Sequence, residues 1–169
     1  MDDYMDENEN YATMEVINKQ WNVIKLVAKL FNKNDIEYHY DASTAAFVHG
    51  CNFEMSDIDV VIIHDVMEKV GQILKPYFEL TELEYMAEHN LDFFFALRDG
   101  QKVHCLFYRD MKSEDTTFYD EVEVVEVDGQ KIYSKSINYY LRRKKMKHYL
   151  EKLIKEKSGS DQNIRGGAT

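Results

Sequence analysis

Bases are in short supply in this chain. It carries 21 Lys and Arg against 31 Asp and Glu, a net charge of −10. That excess of acid excludes general nucleic-acid binding through the whole surface. No apolar run approaches the ~20 residues needed to span a bilayer, so no membrane insertion is expected. The first residues offer neither a basic segment nor an apolar one of the secretory kind, and the chain reads as cytoplasmic. Cys51 and Cys105 are the two cysteines. They lie far apart in apolar stretches, and their spacing demands no bridge, so buried free thiols in a reducing compartment are expected. The single proline, Pro76, interrupts a helical pattern near its end. No internal repeat is visible. His39, His49, His64, His89 and His148 show no zinc-like spacing.

What remains is the composition of a soluble globular domain, 44% apolar and 31% charged, within 169 residues. The charge is uneven. Residues 1–11 form an acidic stretch, with Asp2, Asp3, Asp6, Glu7 and Glu9 and no base, and read as a disordered tail. Residues 12–157 read as one domain. Residues 158–169, of Gly, Ser and polar type, read as a second disordered tail.

Ile17, Trp21, Ile24, Ala28 and Phe31 recur at helical spacing and predict a helix over 12–32. A short strand over 36–40 follows. Small residues from Asp41 then predict a turn into a short helix that Gly50 stops. A loop over 51–56 leads to a buried strand over 57–63 and an amphipathic helix over 65–77. Two hairpins are predicted, over 91–108 around Asp99-Gly100 and over 122–133 around Asp128-Gly129. Ser136 is a candidate N-cap for a last, basic helix reaching about Glu156. This order describes an α+β, or mixed-sheet α/β, domain.

The chemistry is concentrated in two stretches. Asp57-Ile58-Asp59 opens the apolar run Val60-Val61-Ile62-Ile63. Strand alternation puts Asp57 and Asp59 on one face and Ile58 and Val60 on the other. Two carboxylates so placed repel and raise each other's pKa unless a cation lies between them. Hard oxygen ligands of this kind suit Mg²⁺ or Mn²⁺. The plainer reading is a pair of aspartates solvating the end of a buried strand. Thirteen residues separate Asp57 from Ser43, in the turn Asp41-Ala42-Ser43. Small side chains there let backbone N–H groups approach a phosphate, and Ser43 can donate its hydroxyl. The plainer reading is an N-capped helix packed on a sheet through Ala42, Ala45 and Ala46.

Together, the Asp41-Ala42-Ser43 turn, Gly50 and the spaced Asp57-Ile58-Asp59 resemble the nucleotidyltransferase superfamily. The likeness is greatest to the small lincosamide and aminoglycoside nucleotidyltransferases, and Ser56-Asp57-Ile58-Asp59 also looks like the minimal nucleotidyltransferases found as antitoxins. The resemblance runs over about residues 12–155 and implies a twisted mixed sheet flanked by helices, with a helix at each end. It implies metal-dependent transfer of a nucleoside monophosphate from a nucleoside triphosphate, such as ATP, to a hydroxyl of a small, antibiotic-like molecule. By the same resemblance Asp57 and Asp59 match the metal pair, with Mg²⁺ or Mn²⁺ as cofactor, and Ala42 and Ser43 match the phosphate-holding turn. In the last helix Arg143 or Lys144 matches a lysine that reaches the triphosphate. A solvated basic face is the plainer reading of that cluster. A homodimer is compatible with all of this.

Three positions depart from the family's pattern. Ala42 stands where Gly is common, and a methyl there crowds a phosphate or keeps the backbone out of positive φ. The loop before the aspartates has no base and carries Glu54. A further carboxylate is usual on a later strand, and here His104 stands in its place, with Asp92 and Glu88 as the neighbouring strand's candidates. His104 is read as a metal ligand or a base for the acceptor hydroxyl, or as a histidine at the core's edge. Asp92 is read as catalytic or as a strand-end carboxylate bonded to backbone. Two other functions stay open on the same fold: transfer to a protein hydroxyl, and an inactive binding or regulatory module.

Overall fold

The computed structural model describes residues 12–111 and 116–141. Helix α1 spans Met14–Lys33, and the Thr13 side chain caps it by accepting from the Val16 N–H at 3.2 Å. Its apolar stripe, Val23, Ile24, Val27, Ala28 and Phe31, is buried. Strand β1 (Tyr38–Tyr40) runs into α2 (Ala42–Val48), then β2 (Ile58–Ile62) and α3 (Met67–Leu74). Gly50, at φ +110°, ends the α2 segment as its composition requires. Helix α3 starts later than the pattern predicts, after a 3-10 turn over His64–Val66, and stops before Pro76. Two short strands that the sequence pattern did not reveal come next, β3 (Glu79–Leu80) and β4 (Glu84–Met86). Both lie at the sheet's edge with mostly exposed side chains, so they lack the apolar alternation that marks a strand.

The hairpin β5 (Leu91–Arg98) and β6 (Gln101–Tyr108) turns at Asp99-Gly100, with φ of +52° and +75°. The hairpin β7 (Val122–Val127) and β8 (Gln130–Lys135) turns at Asp128-Gly129, with φ of +51° and +77°. Both turns have the positive φ at two successive residues that selects Asp-Gly. Helix α4 is described over Ile137–Leu141, and Ser136 caps it by accepting from the Tyr139 N–H at 3.1 Å. The tails at 1–11 and 158–169, and the basic cluster with Arg143 and Lys144, lie outside the described residues.

The strands form one mixed sheet in the order β3-β5-β6-β2-β1-β8-β7, with β4 also paired to β5. Strand β2 is antiparallel to β1 and parallel to β6. One face is covered by α1, α2 and α3. There Ile58, Val60 and Ile62 of β2 join Phe31, Phe47, Phe53, Cys105 and Phe107 in the main core. On the other face Val61, Ile63, Leu91, Leu106 and Phe118 form a smaller cluster. Cys51 and Cys105 are both buried and unbridged. Gln20, fully buried, pins the loop before β2 to α1: its amide donates to the Phe53 carbonyl at 2.9 Å and accepts from the Met55 N–H at 2.7 Å. No helix among the described residues is long and apolar enough to cross a membrane.

Candidate active site

The site is assembled where the end of β1, the start of β2 and the start of β6 meet. The parallel register of β2 and β6 sets Asp59 opposite His104 and Ile58 opposite Val103. Partners across a ladder share a face, so Asp57, Asp59 and His104 all point away from the helices. Each offers a ligand atom, and these atoms lie within 4.8 Å of one another. The His104 Nδ1 is 3.3 Å from Asp59 Oδ1. The imidazole is held from both sides: Phe95 stacks on it with centroids 4.5 Å apart, and Phe93 meets it edge-on at 5.1 Å.

Electrostatics favour a cation here. Burial raises the pKa of the Asp59 carboxyl, the hydrogen bond from His104 works against that rise, and the Asp57 charge adds to it. The His104 Nε2 is buried without a hydrogen-bond partner. A desolvated carboxylate beside a second carboxylate, with the His104 Nδ1 turned toward them, is a donor set that fits a divalent metal. The oxygens suit Mg²⁺ or Mn²⁺, and the imidazole nitrogen is more at home on Mn²⁺.

The turn before α2 is tied to the same strand through the backbone. The Asp41 N–H donates to the Asp59 carbonyl at 3.0 Å, and the Asp59 N–H donates to the Thr44 Oγ1 at 2.9 Å. Thr44 is fully buried, so this hydroxyl fixes where the turn sits relative to the carboxylates. Ala42 adopts φ +53°, the left-handed conformation, despite its Cβ. The turn therefore keeps a glycine-type shape. Ser43 is half-buried beside it.

Asp92 is not brought to this cluster. It pairs with Phe107 across the β5–β6 ladder and so faces the helix side of the sheet, whereas Phe95, three residues on, faces His104. Its carboxylate accepts from Arg109 Nε and a terminal nitrogen, both at 2.9 Å, and lies 2.8 Å from His64 Nε2. The Arg109 hydrogen bonds, with those of His64, hold its pKa below the ordinary carboxylate value. The expectation that Asp92 complements the aspartate pair is thus corrected, because the strand's alternation turns it to the wrong face. Glu88 is exposed in a 3-10 turn over Ala87–His89.

Two participants had not been singled out by sequence. Thr44 stands next to Ser43, and no local pattern separates the two hydroxyls. Lys102 lies on the same face of β6 as His104, with Nζ 3.9 Å from Asp57 Oδ1 and 5.0 Å from the Phe95 ring. The signal was present in the alternation Lys102, His104 against Val103, Cys105, but reading it required knowing that β6 pairs with β2.

No known family profile matches the sequence, and no curated protein matches it by sequence alone. Solved structures do match its fold. A candidate nucleotidyltransferase from Thermotoga maritima superposes with a TM-score of 0.60 at 15% identity, over 96% of this chain and 99% of that one. The aminoglycoside nucleotidyltransferase ANT(2'')-Ia, solved with adenylyl-2''-tobramycin, superposes with a TM-score of 0.50 at 12% identity, over 73% and 77% of the two chains. A solution structure of the same resistance factor gives 0.52 at 9% identity, over 89% and 98%. The chain has a nucleotidyltransferase-like fold.

Proposed function

We propose, from that fold, that the chain is a metal-dependent nucleotidyltransferase that moves a nucleoside monophosphate from a nucleoside triphosphate to a hydroxyl of a small molecule. The observation that carries this reading is the convergence of Asp57, Asp59 and His104 within 4.8 Å, clamped to the Asp41-Ala42-Ser43 turn by Thr44. Asp57 and Asp59 would hold Mg²⁺ or Mn²⁺, and the ion would supply charge neutralisation at the triphosphate and at the attacking oxygen. The turn at Ala42 and Ser43 would receive the terminal phosphates. In the transfer the acceptor hydroxyl gives up its proton to solvent as its oxygen bonds to the α-phosphorus, the bond between the α-phosphorus and the α–β bridging oxygen breaks, and pyrophosphate leaves with that oxygen.

His104 is better read as a positioning group and third ligand than as the base. Its Nδ1 faces Asp59, and its Nε2 is buried away from any acceptor arriving from solvent. Lys102 is half-exposed beside Asp57 and would supply part of the positive charge that the loop before the aspartates lacks. An antibiotic-like acceptor rests on the likeness to ANT(2'')-Ia, and Lys144 on the family resemblance.

Calorimetric titration with ATP and GTP, with and without Mg²⁺, tests the reading. Metal-dependent binding is expected in the wild type and not in Asp57→Asn or Asp59→Asn. Equal binding in all three, or none in any, overturns it. Pyrophosphate release across small-molecule acceptors is then expected. Label appearing on a protein would move the acceptor class, and no release with any acceptor would favour a binding module.

A further inference from the structure

Strand β7 ends the sheet, separated from β2 by β1 and β8, and nothing among the described residues pairs with its outer edge. Its pairing with β8 runs without a bulge, from Val122 opposite Lys135 to Val127 opposite Gln130. The Asp128-Gly129 turn has two residues, so Val127 and Gln130 exchange both backbone hydrogen bonds. By alternation Val125 does the same with Ile132, and Glu123 with Ser134. The N–H and C=O groups of Val122, Val124 and Glu126 then point away from β8. The facing strand shows the same phase. The Lys131 and Lys135 carbonyls turn away from β7, where they accept from the Asn32 amide at 2.8 Å and from His49 Nε2 at 3.2 Å.

An open edge of this length is commonly blunted by a proline, a lysine or a bulge. Strand β7, Val-Glu-Val-Val-Glu-Val, has none of the three. At the other end of the sheet β3 and β4 span only two and three residues. Val124, in the middle of the outward row, is 53% exposed. A row of outward backbone groups with a branched apolar side chain at its centre is the template on which an extended segment adds as a further strand.

Charge decides the occupant. Glu123 and Glu126 are exposed on opposite faces of β7, and the strand carries no base. Asp120 before it and Asp128 after it add acid, the latter held by Lys25 at 3.0 Å. A second copy would bring the same acids to the same edge, and like charges would gather along the seam. A strand with bases opposite Glu123 and Glu126 and an apolar residue opposite Val124 meets both requirements. In antiparallel addition the two bases lie two residues before the apolar position and one after it.

We infer that the outer edge of β7 is a docking site for an extended, basic segment of another protein, which adds as an antiparallel strand with a branched apolar residue opposite Val124. The site is separate from the proposed nucleotide site and does not depend on that reading.

Fluorescence anisotropy of a labelled peptide, Thr-Lys-Val-Ile-Lys-Val-Thr, titrated with the full chain tests it. Saturable binding is expected with a Kd of about 100 μM or tighter. The same peptide with Glu for both Lys should bind about tenfold weaker or worse. N-methylation of the isoleucine removes the N–H aimed at Val124 and should abolish saturable binding. N-methylation of the next lysine, whose N–H points outward, should leave it within about twofold. Val124→Pro removes an outward N–H at a position where an edge strand tolerates proline. The double variant Glu123→Lys/Glu126→Lys reverses the charge and leaves the backbone intact. Each should weaken the peptide by about tenfold or more, with circular dichroism showing an intact fold. Should Val124→Pro unfold, the double variant carries the test. No saturable binding by the wild type overturns the proposal, as does equal binding of the acidic peptide or binding unchanged in the double variant. Equal loss from the two N-methylations overturns strand addition. Self-association of the chain that Val124→Pro abolishes, in place of peptide binding, would assign the edge to a second copy and overturn the basic partner.

Discussion

The Thr44 hydroxyl accepts the Asp59 N–H at 2.9 Å, joining the first turn of α2 to the strand that bears the carboxylates. Thr44→Val keeps the side chain's shape and leaves that N–H buried without a partner. A loss of about 1–3 kcal/mol is expected in urea unfolding. Metal-dependent nucleotide binding should weaken as well, since the turn and the aspartates lose their common register. Thr44→Ser should restore most of both. A Thr44→Val protein as stable and as competent as the wild type would show that the bond does not position the site.

Ala42 pays for a glycine's conformation, at φ +53°, in the turn beside Ser43. The left-handed region costs an L-residue roughly 1–2 kcal/mol. Glycine removes that cost but gains about 0.5–1 kcal/mol of unfolded-state entropy. Ala42→Gly should therefore stabilise the fold by up to about 1 kcal/mol, and Ala42→Val should destabilise it. Paired denaturant titrations measure both signs.

Asp92 ties β5 to Arg109 and His64, on the opposite face from the candidate metal ligands. Asp92→Asn should lower stability at neutral pH and leave nucleotide binding unchanged. Arg109 is 46% exposed, so the loss falls at the low end for charge-assisted hydrogen bonds. The sign with pH follows from the depressed pKa. The stabilisation is present above the unfolded value of 3.8 and disappears as pH falls through the lower folded value. The difference between variant and wild type should close over that acidic window in thermal melts.

His39 is 1% exposed, packed 4.7 Å from the Phe118 ring, and burial lowers its pKa to about 3. The folded state therefore holds it neutral, while the unfolded chain takes up a proton below 6.5. Its contribution to stability is intact above 6.5 and is lost progressively as pH falls toward 3. Between pH 7 and pH 5 that loss comes to about 2 kcal/mol. His39→Phe should flatten the stability profile by this amount, read as a smaller drop in urea midpoint across the interval.

Much of the fold was legible because local chemistry and tertiary demand agree. The α1 stripe is buried as its spacing requires, both Asp-Gly pairs turn with positive φ, and Ser136 caps α4. Strands β3 and β4 were hidden because a partly solvated edge strand needs no apolar alternation. In the site, the Asp57/Asp59 pair was readable from strand alternation. The choice between His104 and Asp92 was not, since it rests on which strand lies beside β2 and in what register.

The sequence by itself determined the longer helices and strands, the two Asp-Gly turns and the carboxylate pair, because those follow from short-range spacing and backbone preference. Only the tertiary structure decided what the pair meets. Parallel pairing of β2 with β6 carries His104 and Lys102 to the aspartates from more than 40 residues away, and alternation in β5 turns Asp92 to the other face. A ladder's register is a long-range balance of packing across the whole sheet, so no local pattern encodes it.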